Sequence, residues 1–152
     1  MNKYLDAGRV VSGFFRSYKK LKKYLPIRPS EMGVLSFIGK SDGDVTPLTL
    51  SETMGVSKPM IAAHIQTLLE RGYIIKEASP EDGRSFFVRP TQEGITLIKE
   101  FERRQTEYLS SLEAQLGIAE FDTLIELMGR AQLILCAMGE ESIAEPKGEK
   151  DV

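Results

Sequence analysis

Soft ligands and cross-linking groups are scarce in this chain: its 152 residues include one cysteine, Cys136, and one histidine, His64. A lone cysteine forms no intrachain disulfide, and the two residues together are too few for a zinc site built from Cys and His. Disulfide scaffolds and zinc fingers are excluded. Long apolar runs are missing as well. The nearest, Ile134 to Met138, is a fraction of the roughly 20 residues that cross a bilayer. Val10 to Phe15 is short, interrupted by Ser12 and Gly13 and bracketed by Arg9 and Arg16, unlike the apolar core of a secretory signal. The cytoplasm is the expected location. No glycine-rich phosphate loop, paired-carboxylate motif or serine-triad signature occurs, and His64 and Cys136 fall in different predicted helices. Neither an enzyme nor a cofactor or metal site is expected.

What is present suits one folded domain. A composition of 41% hydrophobic and 28% charged residues lies away from the polar, highly charged corner where chains remain unfolded. The net charge of −2 hides an asymmetry. Residues 1–40 carry nine Lys/Arg against two Asp/Glu, net +7; residues 41–98 carry five against eight, net −3; residues 99–152 carry six against twelve, net −6. Phosphates respond to local charge, so the acidic total is weak evidence against a nucleic-acid partner.

Apolar spacing divides the chain into helices. Tyr4, Ala7, Val11, Phe14, Tyr18, Leu21 and Leu25 recur at three and four residues until Pro26, and Leu5, Val10 and Phe15 lie off that stripe. A helix apolar on more than one side asks for a partner subunit. A second helix is expected from Pro29 to a stop at Gly39, and a short one from Leu48 to Met54, capped by Thr46-Pro47 and closed by Gly55. Ser57 caps the next, whose core side is Ile61, Ile65, Leu68 and Leu69 and whose end is Gly72. Tyr73–Ile75 and Phe86–Val88 read as a two-stranded hairpin around a turn at Ser79–Gly83. Thr91 opens a long helix with a polar gap from Glu102 to Glu107 and a stop at Gly117. A last helix runs from Phe121 to a stop at Gly139. Residues 140–152 read as a disordered acidic tail.

The informative stretch is residues 46–94: helix, glycine turn, helix, hairpin, helix. Gly55 admits a positive φ in the turn and Val56 can plug the angle between two helices, which is helix–turn–helix geometry. On a helical wheel the face opposite Ile61, Ile65 and Leu68 carries Pro59, Ala63, Gln66 and Thr67, with Met60 and His64 at the flank and Lys58 at the N-terminal end. No acid occurs from Ser57 through Leu69, and Glu70 falls in the last turn. Negative charge is thus absent where phosphates would press closest.

Leu50-Ser51-Glu52-Thr53-Met54-Gly55-Val56-Ser57, Gly72-Tyr73-Ile74, the wing-tip stretch Asp82-Gly83-Arg84-Ser85 and Thr91-Gln92-Glu93-Gly94 together resemble the MarR family of winged-helix transcriptional regulators, over residues 4 to 139 or so. The Asp-x-Arg wing tip between a helix–turn–helix and a Thr-x-x-Gly helix start is the most specific part. Arg28 stands where the family often has a capping threonine, and Ser51 where it often has alanine.

The resemblance implies a mainly α fold with a small β-hairpin wing. Residues 27–94 would form a winged-helix DNA-binding lobe, and residues 1–26 and 95–139 dimerisation helices. It implies a homodimer acting on a pseudo-palindromic duplex as a regulator, a repressor responsive to a small-molecule effector. Carried onto this chain, the DNA-contacting set is Ser57, Lys58, Pro59, Met60, Ala63, His64, Gln66, Thr67, Asp82, Arg84 and Ser85. Gln66 is the best base reader, because an amide bonds adenine in a bidentate way. Asp82 is expected to shape the wing by pairing locally. For His64, contact with DNA and packing beside the hairpin stand about even. The basic run Lys19, Lys20, Lys22 and Lys23 reads as a solvated face. Phe14, Phe15 and Tyr18 are candidates to wall an effector cavity, with dimer core as the preferred alternative. Cys136 is expected to be buried. The rival function is a winged helix used for protein–protein contact, without specific DNA binding.

Overall fold

The computed structural model describes residues 2–144. Six helices and one hairpin follow in the order α1 Lys3–Leu21, α2 Pro29–Lys40, α3 Pro47–Met54, α4 Lys58–Glu70, β1 Ile74–Ala78, β2 Phe86–Pro90, α5 Gln92–Leu116 and α6 Ile118–Ala144. Among these residues no helix is long and apolar enough to cross a membrane. By contacts the chain divides into two compact units, with the boundary between Arg103 and Arg104. That boundary falls inside the polar gap of α5.

The first unit holds the core. Met32, Val34, Leu35 and Ile38 of α2 cluster with Leu50 of α3, with Ile61, Ile65 and Leu68 of α4, and with Ile74, Val88 and Ile98. β1 and β2 pair antiparallel in the register Lys76↔Val88, and Val45 adds a bridge by accepting from the Val88 N–H at 2.9 Å. Helix starts are made by the residues that can accept there. Thr46 Oγ1 accepts from the Thr49 N–H and Ser57 Oγ from the Met60 N–H, and each helix then carries a proline in its first turn, where a missing N–H costs nothing. At Arg28 the cap works in reverse: the side chain of Glu31 accepts from the Arg28 N–H at 2.8 Å. That is half of a capping box, and it removes the need for the threonine the family often places there.

The turns at both ends of α4 require glycine: Gly55 has φ +63° and Gly72 φ +75°, in the left-handed region that L side chains avoid. Gly94 is needed for a different reason. A Cβ there would lie far inside van der Waals contact distance of the Tyr73 carbonyl oxygen.

Helix α1 has no buried residue in the single chain, and Val10 is 72% exposed. The four-lysine run is less uniform than its composition suggests. Lys22 stands over the rings of Tyr18 and Phe101, 4.5 and 5.6 Å from their centroids, and burial lowers its pKa. In the second unit α6 likewise turns apolar side chains outward, with Leu133 73% exposed. Cys136, expected to be buried, is exposed, because its helix has no neighbour on that side in one chain. The stop expected at Gly139 is also corrected, since α6 runs to Ala144. Glycine in a helix interior costs only about 1 kcal/mol, too little to end a 27-residue helix. The remainder of the acidic tail, residues 145–152, lies outside the described residues.

Candidate nucleic-acid interface

Helix α4 is fixed at both ends and along one side. Its inward stripe is Ile61, His64, Ile65 and Leu68, set against α2 and α3. Its entry depends on Ser51, which approaches Val56 twice: the Ser51 carbonyl accepts from the Val56 N–H at 3.2 Å, and the Ser51 hydroxyl donates to the Val56 carbonyl at 2.6 Å. The resemblance marks position 51 as one often held by alanine, and the hydroxyl's bond to the turn was not legible from it. Ser51→Ala is expected to cost about 1 kcal/mol, the usual net worth of such a bond less a small gain in helix propensity. Denaturant unfolding checks it.

The outer face of α4 presents Lys58, Pro59, Ala63 and Gln66 to solvent, with Ser57 exposed at its cap. The Gln66 amide donates to Glu70 Oε1 at 2.9 Å, which leaves a second N–H and the carbonyl oxygen for a base. Thr67 is half-buried, and its hydroxyl donates to the Ala63 carbonyl. Met60 is exposed at the edge of the helix.

His64 does not belong to this set. It is 7% exposed and lines the cavity between the start of α2 and α4. Position 64 is one residue before Ile65 and four before Leu68, so at 100° per residue it falls within the inward stripe. The spacing 61, 64, 65, 68 was the available signal.

At the wing, Asp82 accepts from the Arg84 N–H at 3.0 Å through Oδ1, and its carbonyl accepts from the Ser85 N–H. This is an Asx turn, in which the short carboxylate replaces a backbone acceptor and holds the loop. The Arg84 side chain is exposed and makes no ion pair among the described residues, while Ser85 is half-buried. A second wing arginine was missed. Arg89 pairs with Glu77 across the hairpin and with Asp44, 2.6 Å away, in the loop before Val45. Hydrogen bonds to Glu77 and then Asp44 raise its pKa above the ordinary value. With two carboxylates on Arg89 and Lys76 lying over the Phe86 ring, Arg84 is the cation at the wing tip left for another anion.

Phe14 and Tyr18 stack with centroids 6.1 Å apart and ring planes 6° from parallel, and Phe15 meets Phe14 edge-on. The cavity described in the first unit lies elsewhere, between the start of α2 and α4. No group of three His, Cys, Asp or Glu side chains among the described residues gathers to hold a metal.

A short helix, a glycine turn, a second helix whose outer face carries no acid before Glu70 and a β-hairpin packed after it define a winged helix–turn–helix. The MarR family model matches residues 25–85. An uncharacterised HTH-type transcriptional regulator of Mycobacterium bovis is 28% identical over 115 residues, covering 76% of this chain and 78% of its own. Streptococcus pneumoniae FabT, solved in complex with DNA, superposes with a TM-score of 0.69 at 21% identity over 91% of this chain and 98% of its own. PcaV of Streptomyces coelicolor, solved with its natural ligand, gives 0.72 at 20% over 87% and 95%. The fold is that of a winged helix–turn–helix, and over residues 25–85 the sequence is similar to the MarR family.

Proposed function

We propose that this chain acts as a homodimeric, sequence-specific repressor on a pseudo-palindromic operator, in the cytoplasm, with α4 in the major groove and Arg84 at the minor groove or its phosphates. The observation that carries the reading is the pairing of two surfaces. One is the outer face of α4, without an acid until Glu70 in its last turn, together with the uncommitted Arg84 of the wing. The other is the exposed apolar side of α1 and of α6, larger than a lone chain leaves uncovered. Two lobes related by a dyad would meet half-sites one helical turn apart, about 34 Å. A small molecule would regulate such a dimer only by binding its competent and incompetent states unequally. That FabT was solved on DNA and PcaV with a ligand adds support.

Arg84→Ala is the test of the wing. Duplex affinity is expected to fall about tenfold or more, and the slope of log affinity against log salt to shrink by about one per contacted phosphate. Unchanged affinity and slope would remove Arg84 from the contacts. Tight binding of a protein partner with no duplex affinity would favour the protein–protein reading.

A further inference from the structure

Arg89 stands at the centre of a ladder of opposite charges that crosses the hairpin and continues beyond it. The bridge Val45↔Val88 makes the segment before α3 an extended neighbour of β2, and β1 lies on the other side of β2 in the register Glu77↔Phe87. Antiparallel pairing therefore sets Asp44 opposite Arg89, with Glu77 its diagonal neighbour on β1. Val45, Ile74 and Val88 turn to the core, so alternation puts Asp44, Glu77 and Arg89 together on the outer face. The guanidinium uses two of its edges: Nη2 donates to Asp44 Oδ1 at 2.6 Å, and Nε donates to Glu77 Oε2. One side chain thus joins three extended segments.

The ladder couples the two candidate contact surfaces. Asp44 lies two residues before Thr46, whose hydroxyl caps α3, and α3 leads through Gly55 into α4. At the other end, the wing tip moves with its strands, because the Ser79 N–H donates to the Ser85 carbonyl and Asp82 holds the Arg84 N–H. The Asp44–Arg89 pair and the bond from the Val88 N–H to the Val45 carbonyl, 2.9 Å long, tie this hairpin to the entry of the helix–turn–helix. All three charged side chains are well exposed, and exposed ion pairs add little to stability. An effect on binding can therefore be read apart from unfolding.

We propose that Arg89 is a positioning residue for DNA binding: by holding Asp44 and Glu77 together it fixes the wing against the start of α3, and so sets the separation between the outer face of α4 and Arg84. This rests on the reading of those two surfaces as the duplex contacts. A wing fixed in advance spares the complex the cost of ordering it on binding. Arginine is needed for its shape, since its planar fork spans two acceptors where a lysine ammonium is a point charge on a flexible stem.

Arg89→Lys is the test, because it keeps the charge and removes the fork. In the free protein, exchange of the Val88 amide hydrogen is expected to quicken roughly threefold, while the Leu35 amide in α2 and the melting temperature hold their values. On a duplex selected by the wild-type protein, affinity should fall about tenfold, roughly threefold for each of two lobes. In the Arg84→Ala background the same change should cost almost nothing more, since the residue it positions is gone. Unchanged Val88 exchange overturns the proposal. Full affinity with Arg89→Lys, and an equal loss with Arg89→Met in the wild-type and Arg84→Ala backgrounds, would make Arg89 a phosphate contact of its own and also overturns it. If Arg84→Ala alone leaves affinity intact, the reading of the wing as a duplex contact fails and the positioning role falls with it. A loss with Arg84→Ala but none with Arg89→Lys is the failure of the positioning role alone.

Discussion

Gly94→Ala is expected to destabilise the winged lobe by about 3 kcal/mol, which at this chain length lowers the melting temperature by roughly 10 °C. Alanine in a helix would ordinarily gain about 1 kcal/mol over glycine. Here the added methyl meets the backbone oxygen of Tyr73 and then the Leu35 side chain. That oxygen cannot retreat freely, because it accepts from the Thr91 N–H at 3.0 Å. The Thr91 hydroxyl in turn donates to the Gly72 carbonyl and accepts from the Gly94 N–H, so the start of α5 is pinned to the end of α4 by bonds a shift would break. Gly39→Ala is the control, since its methyl would meet only the rotatable end of Ile98. Thermal unfolding of both variants should show the Gly39 change costing less than half as much. Equal losses would mean that the backbone contact at Gly94 is not what excludes a side chain.

Leu135→Glu is expected to break the proposed dimer and lower duplex affinity at least a hundredfold. In one chain Leu135 is exposed, so the substitution costs the isolated fold little. A carboxylate placed in an apolar interface between copies must instead be desolvated. Losing the second lobe also removes the effective concentration that bivalent binding supplies, worth about 10²–10⁴ in affinity. The lobe itself should stay folded, because its core cluster draws on no residue of α6. Sedimentation and a duplex titration read the two effects together. A variant that keeps the wild-type mass and affinity would show that the exposed side of α6 is not an interface.

The elements were legible because their signals are local. The 3-4 spacing of α1, the Thr46-Pro47 and Ser57 caps and the glycines at 55 and 72 follow from backbone chemistry within a few residues. The Asp82 turn was legible for the same reason. What escaped depends on atoms far apart in the chain. Arg89 finds Asp44 45 residues away, and the cavity joins Arg28 to Arg71 across the lobe. Gly94 was recognisable as part of a pattern, while its reason, the Tyr73 oxygen, exists only after β1 has docked. Cys136 was expected to be buried and is exposed, while His64, left even between DNA contact and packing, is buried. His64 lies nearer the inward stripe than its polarity suggested. Cys136 lies in an apolar run that the rest of one chain does not cover.

The central claim is that two copies read a duplex with dyad symmetry. Footprinting on fragments selected from random DNA by the purified protein tests it most directly. The account predicts two protected major-groove segments centred about 10 to 10.5 base pairs apart, mirrored about a dyad, with both halves lost together on Leu135→Glu. A single unsymmetrical footprint, or no enrichment of any sequence over the starting pool, would contradict it.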